Sequence, residues 1–206
     1  RWAEPIAIRA LKRFVTDWAD LSASRRVGES ASQSVRNFKT RRPADPQTRR
    51  HKVAIIGSGP AGLMAAWHLA KKAYDVTVFE ELPAAGGGLA VYIPEYRLPK
   101  SVLGRDIENI RAAGVEIKTN TKVGRDISFE KIRKDYDAVF IATGAGKSKK
   151  LGMPGEEADG VLESMEFLKA VNLGEPPETG KIVGIIGGGN SAIDAARAAL
   201  RVKGTE

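Results

Sequence analysis

The run GSGPAG, Gly57 to Gly62, follows an apolar stretch, VAII from Val53 to Ile56, and leads into a helix-forming stretch, GLMAAWHLAKKA. In such a turn the first glycine permits a tight bend, the second lets main chain approach a pyrophosphate, and the third lets the helix pack against the strand. Gly57, Gly59 and Gly62 occupy those places, with Ser58, Pro60 and Ala61 between them. The amides of the first helical turn would face an anion, with the helix dipole adding favourable potential. Glycine-rich turns are common, so the motif alone is weak. Its weight comes from Glu80, which ends the next apolar run, VTVF from Val76 to Phe79, 23 residues beyond Gly57. A carboxylate there can accept hydrogen bonds from both ribose hydroxyls of an adenosine and would repel a 2′-phosphate, which favours FAD or NAD over NADP. Glu81 beside it is expected at the surface.

The pattern returns 130 residues later: KVAIIGSGPA begins at Lys52 and IVGIIGGGNSA at Ile182. Strand, glycine turn and helix are thus expected twice, which means two nucleotide sites. Ala192 stands where the third glycine would be, a substitution the fingerprint accepts. Between the two units lies GGGLAVYIPEYRLPK, Gly86 to Lys100. Its glycines suit a backbone passing close beneath the polyol and ring of a flavin, and an ordinary loop accounts for them equally well.

These residues need strands and helices to hold them. Val102, Leu103, Ile107 and Ile110 recur at helical steps, and Gly114 stands where a left-handed cap ends that helix. VEIK reads as a strand, ISFEKIRKD as a short helix and DAVFIATG as a buried strand. The alternation predicts an α/β, doubly wound architecture with a parallel sheet and helices on both sides. Near the start, Ile8, Leu11, Val15 and Trp18 line one side of an amphipathic helix from Glu4 to about Ala19, and residues 21–50 read as an irregular connector.

Composition narrows the chemistry. The absence of cysteine removes disulfides, thiolate metal sites and cysteine-ligated clusters from these 206 residues. Two histidines, His51 and His68, are too few for a metal site of their own, and each reads as a surface or packing residue. Residues 1–52 hold 13 Lys and Arg against 5 Asp and Glu, whereas residues 53–206 hold 20 of each, so the net charge of +8 belongs to the N-terminal arm. Arginine pairs there lack the aromatic interleaving of a nucleic-acid surface, and a solvated linker or an acidic partner fits better. No apolar run nears the roughly 20 residues of a membrane span, no charged, apolar and small-residue succession at the start resembles a signal peptide, and a cytoplasmic protein is expected.

Taken together, EPIAIRALKRF, KVAIIGSGPAGL, YDVTVFE, IPEYRLPK, ATGA, LGMPGE, VNLG and IIGGGNSAIDAARAALR resemble the flavoprotein family of the glutamate synthase small subunit. The same module is similar to parts of dihydropyrimidine dehydrogenase and of NADH-dependent ferredoxin:NADP oxidoreductase. The resemblance implies a Rossmann-like FAD-binding domain (51–150), then a linker and the start of a second, NAD(P)-binding domain (151–206), preceded by a helical arm (1–50) left from an iron–sulfur domain. It places FAD on Gly57, Ser58, Gly59, Pro60 and Ala61 at the phosphates, Glu80 at the ribose, and Gly87, Gly88 and Leu89 near the ribityl and flavin. It adds Arg97 reaching the cofactor, main chain at Val123 on the adenine side, and Thr143 and Gly144 closing over FAD. Gly187, Gly188, Gly189, Asn190 and Ser191 would hold the pyrophosphate of NAD(P)H.

Two positions depart from the family pattern: Gly88 stands where relatives carry a large apolar residue, and Tyr92 where they carry glycine. Tyr92 would lie against the ring system or block part of it. The activity implied is hydride transfer between nicotinamide and flavin, with electrons passing on to iron–sulfur clusters outside this segment and to a partner redox subunit. Such chemistry needs stacking and orientation more than a general acid or base, and no Ser/His/Asp or paired-carboxylate arrangement stands out. The chain is expected to be a fragment, inactive alone. A non-catalytic FAD relay is the alternative; a thioredoxin-reductase-like enzyme fits less well with the first helix and IPEYRLPK.

Overall fold

The computed structural model describes residues 50–146, 148 and 150–202. The basic arm and its expected helix lie outside the described residues. Strand β1 (Lys52–Ile56) leads through the glycine turn into helix α1 (Pro60–Lys71), and β2 (Asp75–Phe79) follows. Next come a single helical turn, α2 (Gly88–Val91), then α3 (Lys100–Ala112), β3 (Glu116–Lys118), α4 (Phe129–Asp135) and β4 (Ala138–Ile141). Helices α5 (Ser164–Leu173) and α6 (Asn190–Val202) complete the unit. The sheet is parallel, in the order β3-β2-β1-β4.

Alternation along the strands builds two cores, because successive side chains of a strand point to opposite faces. Val53, Ile55, Val76, Val78 and Ile117 meet Leu63 and Ala66 of α1 and Leu103 and Ile107 of α3 on one face. Ala54 and Phe79 meet Ile132 of α4 on the other. Helices on both sides of a parallel sheet are thus what the sequence pattern predicts. Local signals set the helix ends. Pro60 takes the first helical position of α1, where its missing N–H is not needed. Ser128 caps α4, its hydroxyl accepting from Lys131 N at 3.1 Å, and Gly114 follows α3 at φ +99°.

Two expectations are corrected. The strand at DAVFIATG is not buried: β4 is an edge strand whose Phe140 and Ile141 are 44% and 61% exposed. Its apolar residues signalled burial, but only Val139 packs against the core of Ala54, Phe79 and Ile132. The apolar run at 182–186 forms no strand, and Ile182 and Ile186 are 94% and 78% exposed. A strand is defined by the ladder it makes, and no described strand lies beside this one to supply it. The sequence also hid α2, which was expected as loop, and α5, of which only VNLG was noticed.

The turn after β1 is fixed by contact as well as by dihedral angle. Gly57 has φ +102°, and a Cβ there would collide with the carbonyl oxygen of Ala142. A Cβ on Gly62 would collide with the carbonyl oxygen of Gly57, so α1 lies directly on the turn that opens it. Gly62→Ala is therefore expected to lower the stability of the full-length protein by about 1–3 kcal/mol, the usual cost of overpacking. Thermal denaturation checks this, and an unchanged midpoint would contradict the packing.

Candidate functional site

Gly57 follows the end of β1, Glu80 the end of β2 and Ala142 the end of β4. The chain runs from β1 to β2 to β3 in one direction and then returns to the far side of β1 for β4. The glycine turn therefore lies at the carboxyl ends of the strands, at the switch point where open parallel sheets bind ligands.

A buried hydrogen-bond network assembles this site. Glu80 is 4% exposed and Ser58 is fully buried. Ser58 donates to Glu80 Oε2 from its amide at 2.8 Å and from its hydroxyl at 2.5 Å, and Leu82 N donates to Oε1 at 2.9 Å. The Ser58 hydroxyl in turn accepts from Gly86 N at 3.0 Å, and that amide also meets the Ser58 carbonyl at 3.1 Å. Gly87 follows at φ +53°, where a Cβ would stand 2.7 Å from Gly59 Cα. The triple-glycine segment is therefore pressed against the first glycine turn. Thr143 Cα lies 3.3 Å from where a Gly57 Cβ would stand, which brings the exposed pair Thr143 and Gly144 to the same turn.

A carboxylate offers about four lone-pair positions. Three are taken by Ser58 and Leu82, which leaves one, on Oε1, where acceptance from both ribose hydroxyls was expected. Gly59 is the converse case. Its φ of −66° suits any residue, yet no atom lies within 4 Å of where its Cβ would be. The glycine leaves open space rather than avoiding a protein neighbour. The first helical bond of α1 runs from Leu63 N to Gly59 O, so the amides of Ala61 and Gly62 precede the helical ladder. Open space above Gly59, main-chain donors and an acid with a free lone pair fit the diphosphate and ribose of a dinucleotide.

The second glycine turn repeats the first. Gly187 has φ +114° against +102° at Gly57, and Ile193 N bonds to Gly189 O at 3.1 Å as Leu63 N does to Gly59 O at 2.9 Å. A Cβ on Gly188 or Gly189 would meet nothing within 4 Å. Asn190 and Ser191 open α6.

Other expected residues fall elsewhere. Val123 is half-buried against the core of Ala54, Phe79 and Ile132 and bridges to Ile127. Its segment reaches the site through Thr121 N, which donates to Glu80 O at 2.8 Å. Arg97 lies on α6, where its guanidinium pairs with the carboxylate of Asp194. Tyr96 OH donates to the other oxygen of Asp194 at 3.1 Å. Burial, reinforced by that carboxylate, holds the Tyr96 hydroxyl above its ordinary pKa. Lys100, whose ammonium bonds to Ala90 O, is pushed below the usual lysine range by burial. A cleft of about 640 Å³ lined by Lys52, Thr77, Glu116, Lys118, Lys131 and Tyr136 contains none of the expected site residues.

The sequence did not single out Asp194, nor a side-chain role for Ser58. Asp194 did carry a signal: it shares the buried stripe of α6 with Ala195, Ala198 and Ala199, and an acid in an apolar stripe needs a partner. Nothing comparable marked Ser58.

The pyridine nucleotide-disulphide oxidoreductase family matches residues 51–206, and the chain belongs to it. It is 47% identical over 211 residues to the NADP(+)-dependent formate dehydrogenase subunit beta of Moorella thermoacetica, covering 96% of this chain and 29% of that protein. It is 44% identical over 155 residues to the glutamate synthase [NADPH] small chain of Mycobacterium tuberculosis, covering 69% and 32%. Among solved structures, Mycobacterium tuberculosis FprA in complex with NADPH matches with a TM-score of 0.63 at 27% identity, over 72% of this chain and 36% of that one. The chain thus spans about a third or less of the length of these relatives. Two of them are named as subunits or chains of larger enzymes, in agreement with the resemblance to the glutamate synthase small subunit.

The two departures from that family's pattern meet in space. A Cβ on Gly88 would stand 3.2 Å from Tyr92 Cδ2, and the Tyr92 hydroxyl lies 3.5 Å from where a Cβ of Gly146 would be. Gly88 makes room for a ring that reaches from α2 toward the segment after β4. Gly88→Met should therefore destabilise the protein by about 1–3 kcal/mol, and Gly88→Met combined with Tyr92→Gly should recover most of that loss. Denaturant unfolding of both variants decides; equal losses would mean the two positions do not interact. Ser58→Ala removes the hydroxyl shared by Glu80 and Gly86 and should cost about 1–3 kcal/mol. It should also reduce the flavin retained on purification, read from the visible absorbance of the full-length protein.

Proposed function

We propose that this chain holds FAD at its first glycine turn and NAD(P)H at its second, and works as the flavin-bearing part of an oxidoreductase subunit. The supporting observation is the repeated turn, whose first copy has an acid at the ribose position and Gly86 to Leu89 packed beside it. In this reading the amides after Gly59 bind the FAD diphosphate, Glu80 Oε1 binds one ribose hydroxyl, and Gly87, Gly88 and Leu89 lie near the ribityl chain and ring. Thr143 and Gly144 border the site, and Gly187 to Ser191 receive the diphosphate of NAD(P)H. The bound cofactors supply the hydride chemistry. The chain's own part is to bind, orient and exclude water.

The names of the relatives point to NADP(H) as the nucleotide. They also point to a partner redox subunit as the next electron carrier. Iron–sulfur clusters would lie outside this segment, which has no cysteine to ligate them. No helix among the described residues is long and apolar enough to cross a membrane, and a cytoplasmic setting suits a subunit of this kind.

Anaerobic titration of the full-length protein tests the reading. Bleaching of the flavin absorbance by NADPH or NADH is the expected result. A flavin reduced by dithionite but by neither nucleotide would leave the chain as an electron relay, and protein that takes up no flavin would end both readings.

A further inference from the structure

We propose that Arg97 and Asp194 are positioning residues: their pair joins the second nucleotide turn to the segment beside the flavin site and fixes the two cofactors relative to each other. The inference rests on the two-site reading above. Asp194 is 4% exposed, on the second turn of the helix that Asn190 and Ser191 open. A carboxylate so buried requires close partners. Both come from the IPEYR stretch: the Arg97 guanidinium on one oxygen and the Tyr96 hydroxyl, at 3.1 Å, on the other. The Tyr96 ring is itself held by α6, with the guanidinium carbons of Arg197 and Arg201 at 4.5 and 4.4 Å from its centroid.

A second polar tie lands on the same stretch. Asn172 of α5 donates from Nδ2 to Val91 O at 3.0 Å. Helices α5 and α6 are packed together through Phe167, Leu168, Ala195, Ala198 and Ala199, which form a shared buried cluster. Both ties therefore connect the helix pair to residues 91–97. That stretch continues directly from Gly86 to Leu89, which packs on the first phosphate loop. A phosphate seated at Gly187 to Ser191 pulls on the start of α6, and Asp194, one turn later, carries that displacement to Arg97. A guanidinium–carboxylate pair resists sliding because its hydrogen bonds are directional.

The test uses the full-length flavoprotein as wild type, Asp194→Asn, Arg97→Gln and the double variant. The first readout is hydrogen–deuterium exchange across residues 86–98 with and without saturating NADP+. The second is the anaerobic single-turnover rate of flavin reduction by NADPH, with the nucleotide dissociation constant from the same titration. Wild type should show slower exchange in 91–98 when nucleotide binds, and either single variant should lose that protection. Reduction should slow by roughly tenfold or more in each single variant while the dissociation constant changes by less than about threefold, since misplacement costs rate rather than affinity. The double variant should lose no more than about twofold beyond the worse single variant, the signature of two groups acting as one.

Protection retained in the single variants, or losses that multiply in the double, would overturn the joint. Should Asp194→Asn fail to fold with flavin, Arg97→Lys decides. It keeps the charge but not the planar fork, so intermediate protection and rate are expected, and wild-type values in both would overturn the proposal. A wild-type flavin that neither nucleotide bleaches rejects the oxidoreductase reading itself, whereas a bleached wild type with unchanged variants rejects the joint alone.

Discussion

The buried carboxylate of Glu80 constrains the whole first site. A charged group at 4% exposure is tolerable only with donors on it, and here they come from Ser58 and Leu82. Ser58 can donate twice only if the turn after β1 brings both its amide and its hydroxyl toward the end of β2. That orientation fixes the path of the phosphate loop. It also leaves the Ser58 oxygens free to receive Gly86 N, so the next loop is hung on the same residue. One acid thus determines where three segments meet, and the sheet's role is to bring the ends of β1 and β2 side by side, with Ile56 opposite Phe79. Because these groups satisfy one another within the protein, the main-chain donors left for a ligand are those that helix geometry leaves over at the start of α1.

The two glycine turns share backbone form and differ in surroundings. The first lies between paired strands and is pinned by Phe79 O, which accepts from Gly57 N at 2.8 Å. The second follows an apolar run that pairs with no described strand, and Gly187 to Asn190 are all exposed. Local sequence is sufficient for the bend and the helix, since a positive φ at glycine and the first helical bond need no distant partner. A strand needs neighbours, so the repeat is complete in its turn and helix and incomplete in its sheet.

That division also describes what could be read from the sequence. Gly62 was legible because its constraint is local, the carbonyl of Gly57 within the same turn, and Gly57 because the turn demands a positive φ; the carbonyl of Ala142 that also excludes a Cβ at Gly57 comes from far along the chain and was not legible. Helices on both faces of the sheet were legible from the alternation of strand and helix along the chain. Burial of β4 was misjudged because apolar content reports a preference, not the presence of a cover, and Ile141 has none among the described residues. Glu80 was noticed for its place at the strand end, but its three hydrogen bonds from Ser58 and Leu82 were not, because Ser58 reads as an ordinary filler of a glycine turn. Arg97 was assigned to the cofactor by resemblance, and its contact with Asp194, 97 residues away, depends on tertiary packing that no local pattern encodes.

The contact between the helix pair and residues 91–97 is polar where it is most specific. Surfaces of this kind within one chain resemble transient interfaces, and relative motion is their default. An apolar seam there would permit small sliding at little cost, because dispersion contacts are numerous and weakly directional. A buried carboxylate shared by a guanidinium and a phenol allows few arrangements, since displacement leaves a charge unpaired in a dry setting. Tyr96 adds to this by presenting its ring to two arginines of α6 while its hydroxyl meets Asp194 of the same helix. The IPEYR stretch is therefore set against α6 by direction as well as by contact.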